Sequence, residues 1–250
     1  MIVPSRTGGS RTRTARAPRE SSSTTGRPLV EELSREARAV LVLEPPVRDG
    51  TITTSRSGLA RYQLRIRGRA AHAGNGWRAG VSAIEELAHQ IAAVHALADE
   101  AAGVRTNVGQ VGGGTGDNVV AADAWARIDA RAWTSEAQAR LEAAIYGLEP
   151  KLDGSVIEVS GAVTRPPMVQ SAAGAALAAR TIEIAAGLGI ELSENASPGG
   201  SDGNFAAAVG TPVIDGLGPT GSGAHAVDER VSLESLEERT SLVTALVERL

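Results

Sequence analysis

The sequence predicts an α/β fold in which a ferredoxin-like β-α-β-β-α-β domain interrupts a second α/β domain. Three observations carry this. Residues 59–67 and 124–133 alternate apolar with polar side chains, the mark of half-buried antiparallel strands. Apolar residues from Val81 to Leu97 recur at three- and four-residue steps, the mark of a helix with one buried face. On both sides of this segment, helix and strand signals alternate, as in a layered α/β domain.

Taken in order, residues 1–27 are rich in Arg, Ser, Thr and Gly, hold one acid (Glu20) and show neither helical nor strand periodicity. They read as a disordered leader, a basic arm or transit peptide being the functional alternative. Pro28, suited to a first helical turn, opens the ordered chain. Leu29, Val30, Leu33 and Ala37 follow at helical spacing, then the short apolar strand Ala39–Leu43. The inserted domain, residues 57–166, begins with the alternating strand Leu59–Arg67 and a helix over about 80–100. Strands at Val104–Val111 and Asn118–Trp133 then form a hairpin around Gly112-Gly113-Gly114-Thr115-Gly116-Asp117. A helix at about Ser135–Leu148 and a strand at about Ser155–Val163 complete the split βαβ unit. Residues 28–56 and 167–250 make the second domain. Its later part is predicted as a helix over about 171–189, a strand near 190–194, a helix over about 203–209, a strand at Pro212–Asp215 and a terminal helix over 233–250.

Composition narrows the chemistry. The 250 residues carry a net charge of -4 and 42% hydrophobic residues, with no global signature of nucleic-acid binding. No apolar run approaches a membrane span and the leader lacks a secretory core, so a cytoplasmic address is the default, with no membrane or nucleic-acid partner expected. With no cysteine, any metal must be held by His, Asp and Glu. The histidines are His72, His89, His95 and His225. The dominance of Arg, with Lys151 the sole lysine, fits codon bias in a GC-rich genome and carries little functional weight.

Two of the metal-ligand types sit in telling places. Glu44 ends the apolar run Leu41-Val42-Leu43, and His225 lies in the glycine-lined stretch Ser222-Gly223-Ala224-His225. They do not stand alone: LVLEPP at 41–46, GRAAHAG at 68–74, GDNVVAADA at 116–124, VTRPP at 163–167, PGGSDGN at 198–204 and GAHAVDERV at 223–231 arrive in that order. From about Pro28 to Leu250 this series resembles the di-zinc glutamate carboxypeptidase group of metallopeptidases, relatives of acetylornithine deacetylase, succinyl-diaminopimelate desuccinylase and aminoacylase. The resemblance implies a zinc-peptidase catalytic domain interrupted by a lid that forms a homodimer. It also implies two zinc ions per subunit and a small peptide or N-acyl amino acid as substrate.

Matched motif by motif, the resemblance makes Glu44 a carboxylate ligand of one zinc and His225 the imidazole ligand of the other. It makes His72 a donor that reaches across the dimer to the scissile carbonyl oxygen, where negative charge develops. Arg165 matches an arginine that pairs with a substrate carboxylate. Asn118 matches a lid amide at the same end of the substrate, and Gly199-Gly200-Ser201 a loop whose N–H groups face that carboxylate. His89 and His95, on the lid helix, are read as surface or packing residues.

The chain also departs from the group. An HxD motif, a bridging Asp and a Glu-Glu pair are expected upstream of Glu44. No histidine precedes Glu44, Glu31-Glu32 sits too close to it, and positions 18–26 read Pro-Arg-Glu-Ser-Ser-Ser-Thr-Thr-Gly. With one ligand left for each metal, stable di-zinc binding and normal catalysis are not expected, since zinc takes about four ligands. A truncation, wrong start or frameshift would produce such a leader. Two readings stand: a hydrolase incomplete as this chain, and a non-catalytic dimerisation module or gene remnant.

Overall fold

The computed structural model describes residues 2–4 and 26–250, so most of the predicted leader lies outside the described residues. The chain divides into two compact units: the residues up to Ser57 with Arg165–Leu250, and Gly58–Thr164.

The first unit opens with strand β1 (Ile2–Pro4), helix α1 (Arg27–Arg35), strand β2 (Ala37–Leu41) and strand β3 (Thr51–Arg56). The disordered reading of residues 1–27 fails at Ile2–Pro4, which pair antiparallel with β2, Ile2 opposite Val40. The strand predicted at Ala39–Leu43 instead runs from Ala37 to Leu41, with Leu43 and Glu44 beyond its end. No alternation announces β3, because its residues are nearly all buried although Thr51, Thr53, Thr54, Ser55 and Arg56 are polar, so neither alternation nor an apolar run marks it.

The second unit comprises strands β4 (Gly58–Arg67) and β5 (Ala71–His72), helix α2 (Ala83–His95), strands β6 (Val104–Gly113), β7 (Val119–Val120) and β8 (Asp123–Ala132), helix α3 (Ser135–Tyr146) and strand β9 (Val156–Arg165). The predicted Asn118–Trp133 strand is thus two: β8 pairs with β4 and β6, while β7 turns away to pair with β5. The four long strands form one sheet in the order β6-β8-β4-β9, the ferredoxin-like arrangement. Ser82 and Thr134 cap α2 and α3, each hydroxyl accepting a backbone N–H three residues on. Tyr62, Leu64 and Ile66 from β4 and the alternate alanines and Ile128 of β8 pack against Leu87, Val94, Leu141 and Ile145 of the helices. Only one face of the sheet is covered in this way. Glu86 of α2 is wholly buried and ties down the turn before β9: its carboxylate accepts from Lys151 N and Leu152 N, at 2.9 and 2.7 Å, and from Ser155 Oγ and Gln90 Nε2.

Back in the first unit come helix α4 (Ala172–Gly187), strand β10 (Ser193–Ser197), helix α5 (Gly203–Ala208), strands β11 (Val213–Ile214), β12 (Gly221–Ser222) and β13 (Arg230–Val231), and helix α6 (Leu233–Arg249). The strand expected near 190–194 is displaced to β10, parallel to β3, while Gly189 spends its positive φ of 78° on leaving the helix. Strand β11 lies parallel to β2, and β12 pairs with β13 in a ribbon that the sequence does not announce. Leu41, Ile52, Ile214 and Leu217 pack with Ile184, Leu242 and Leu246 to form the core.

Candidate functional site

Glu44 lies on the loop just past β2, held by its backbone: Gly218 N donates to Glu44 O at 2.9 Å and Leu217 N to Val42 O at 3.2 Å. Residue 218 must be small, since a Cβ there would stand 2.9 Å from that same Glu44 oxygen. Burial pushes the Glu44 carboxyl above its ordinary value, Asp215 and Asp202 reinforce the shift, and Arg56 and His225 oppose it. Glu44 and His225, far apart in sequence, therefore share one electrostatic neighbourhood. His225 sits in the exposed loop between β12 and β13 with φ at +66°, the only described non-glycine residue in the left-handed region. That conformation is uncommon for a residue with a Cβ and is over-represented at functional sites.

Beneath these residues lies a polar network that the motif reading overlooks. Arg56, at the end of β3, donates through Nε to Asp215 Oδ2 at 2.7 Å, and the two side chains are 7% and 0% exposed. The same Asp215 oxygen accepts from Ser201 Oγ, and Oδ1 accepts from Gly216 N at 2.6 Å. Arg56 Nη1 extends the network to Ser197 Oγ and Gly199 O. Asn204 closes it, accepting from Ser201 N and donating to Ser57 O and Pro166 O. Every polar atom so placed fixes the loop 197–204 against β3 and β11.

This changes what the glycine loop can offer. Gly199 N donates to Ser197 Oγ at 3.2 Å and Ser201 N to Asn204 Oδ1 at 2.9 Å, so neither N–H is left for a ligand. Of the three predicted residues, Gly200 alone keeps an N–H with no partner among the described residues. Arg165 lies beside this loop: its Nε donates to Ser201 O at 3.3 Å, one terminal nitrogen stands 3.5 Å from Asp202 Oδ1, and its guanidinium packs over the Phe205 ring. It is partly exposed, with an acid already at one end of its fork. Asp215 carries the signal that picks out Glu44, an acid ending an apolar strand; Arg56 carries none.

In the second unit, β5 and β7 bring His72 opposite Val119, one residue from Asn118, and Ala73 N donates to Asn118 O at 2.9 Å. His72 Nδ1 accepts from Gly74 N at 3.0 Å and from Asn75 N at 3.2 Å. With Nδ1 an acceptor of both backbone donors, the ring's N–H is left to Nε2. His89 and His95 are exposed on α2, away from these residues in the fold.

Among the described residues no group of three or more His, Cys, Asp or Glu side chains is gathered as a metal ion requires. Glu44 and His225 by themselves do not supply the ligand number of a zinc site. Nor is any described helix long and apolar enough to cross a membrane.

Residues 54–148 match the family described as the peptidase dimerisation domain. The chain is 29% identical over 242 residues to carboxypeptidase G2 of Pseudomonas sp. (strain RS-16), covering 91% of this chain and 56% of that protein. Among solved structures, aminopeptidase PepT from Bacillus cereus ATCC 10987 superposes with a TM-score of 0.72 at 26% identity, over 90% of this chain and 61% of that one. A tripeptidase from Staphylococcus aureus subsp. aureus Mu50 shares the fold at a TM-score of 0.67 and 23% identity, over 89% and 61% of the two chains. The chain spans little more than half the length of the curated relative that it matches.

Proposed function

We propose that this chain is a glutamate carboxypeptidase-like hydrolase component, on the strength of its match to the peptidase dimerisation domain over residues 54–148 and its 29% identity to carboxypeptidase G2. In this reading it acts on a peptide or N-acyl amino acid bond. The observation that carries the reading is the likeness to carboxypeptidase G2 over 242 residues, within which Glu44 and His225 stand at the expected ligand positions and the buried Arg56–Asp215–Ser201 network holds the loop 197–204 in place. Arg165 is the substrate-carboxylate residue: with Nε on Ser201 O and one terminal nitrogen beside Asp202, its remaining terminal nitrogen is left to donate to an anion. Asn118 and Gly200 N–H add neutral donors. His72, with its proton held on Nε2, donates to the scissile carbonyl oxygen as charge grows there. The lid makes the protein a homodimer.

The donor set within the described residues does not fit two zinc ions, so no step is derived through them. Catalysis by this chain alone is absent or feeble, since loss of a general base alone forfeits about 10²–10⁴ in rate. Elemental analysis of the purified chain should find less than one zinc per subunit. Hydrolysis of N-acyl glutamates should run no faster than in the double variant Glu44→Ala, His225→Ala. Stoichiometric di-zinc binding, with activity abolished by that double substitution, would overturn the incompleteness and leave a working enzyme.

A further inference from the structure

The open face of the lid sheet holds a cationic, aromatic surface that the hydrolase reading does not use. The helices cover one side of β6-β8-β4-β9; the other side is left to the outward residues of each strand. Cross-strand register places Gln63 opposite Arg127, Arg65 opposite Trp125 and Arg105 opposite Arg131. Arg131 is tied to Asp129 at 2.7 Å and Arg67 to Glu158 at 3.2 Å. Arg61, Arg65, Arg105 and Arg127 have no ion-pair partner among the described residues, against the single further acid Asp123. The face is thus positive although the chain as a whole carries -4.

Its shape is specific too. Two adjoining concavities of about 510 and 440 Å³ lie on this face and share Gln63 and Arg127 as their common wall. Arg61 and Asn107 line the first, Arg65 and Trp125 the second. The Trp125 indole lies across the Gly112 backbone of β6, so close that a Cβ there would stand 2.7–2.8 Å from three ring atoms. One side of the ring is pressed on the sheet, and the residue remains 36% exposed. Along β4, Arg61 and Arg65 are about 13 Å apart, with Arg127 across Gln63 midway between them. This yields cationic steps comparable to those between successive phosphates on an extended single strand, beside a flat π surface.

We propose that this face binds single-stranded nucleic acid, with a base stacked on Trp125 and the backbone phosphates running over Arg65, Arg127 and Arg61. An acidic peptide would satisfy the arginines but would leave the indole without a planar partner; base stacking uses both features. Counterion release makes such binding steeply salt-dependent. The proposal does not depend on hydrolase activity.

Fluorescence titration of the full chain with oligothymidylate across a salt series tests it. Binding should quench tryptophan emission. Trp125→Ala should weaken binding about tenfold, while Trp125→Phe keeps most of it. The exposed-site double variant Arg61→Gln, Arg127→Gln should lower the salt slope by about 1.4, at roughly 0.7 for each phosphate no longer neutralised. Arg180→Gln, on α4, should change neither. No binding at low salt, an unmoved slope in the double variant, or equal binding of a polyglutamate peptide would overturn the proposal.

Discussion

At the scale of single residues, Asp215 holds the most consequential position. It is fully buried and receives Arg56, Ser201 and Gly216, so one carboxylate joins β3, β11 and the glycine loop. A buried ion pair of this kind adds little net stability over an apolar pair, but removal of one member leaves the other charge buried and alone. Asp215→Ala should therefore cost about 3–5 kcal/mol in urea unfolding of the first unit. Asp215→Asn, which keeps the shape and loses the charge, should cost less and still release the Ser201 hydroxyl. A loss below about 1 kcal/mol for the alanine variant would show that Arg56 finds water or another acid. At this scale the sequence was legible in part. Strand-end position picked out Glu44 and applies equally to Asp215, but nothing in the order of residues says that Arg56 turns inward, because a basic residue at a strand end normally faces water.

Glu86 shows how an element is secured by a group that its own sequence pattern assigns to the surface. Burial pulls its carboxyl upward, but the donors from Gln90, Leu152, Ser155 and Lys151 together win and hold it below its ordinary value. A carboxylate with a depressed native value stabilises the fold above its unfolded value near 4.3, and that stability is lost as pH falls through the native value. The lid of the full chain should therefore lose urea resistance on acidification below about pH 4, and Glu86→Gln should flatten that part of the profile. At neutral pH, Glu86→Ala should cost about 1–3 kcal/mol, because Lys151 N, Leu152 N and Ser155 Oγ lose their acceptor. A pH profile identical in wild type and Glu86→Gln would assign the acid sensitivity elsewhere. The helices and long strands around Glu86 were legible, since each has one dry and one wet face and so writes a period into the sequence. Strand β3 was not, because it buries Thr on both sides and Arg56 at its end, and so shows neither alternation nor an apolar run. Strands β5, β7, β12 and β13 are two residues long and leave no period to read.

The whole molecule is built of two units secured to different degrees. The second unit holds a four-stranded sheet, with the short β5–β7 pair beside it, and its β4 and β8 pair along ten residues each over a continuous core from both helices. With a matched dimerisation domain, the full chain should sediment as a dimer at micromolar concentration, and a monomer there would remove that reading. The first unit divides its strands among a three-stranded and two two-stranded sheets. It leaves Leu43, Val227, Val231 and Leu233 exposed on its surface. Its buried Arg239 reaches Thr51 O at 3.4 Å, while Nε and Nη1 find no hydrogen-bond partner among the described residues. Short ladders lower the free energy of local opening, because little paired backbone is lost when they part. Amide exchange measured on the full chain should therefore be faster in β2 and β11 than in β4 and β8. Equal protection in both sets would show that the first unit closes its core as tightly as the second does.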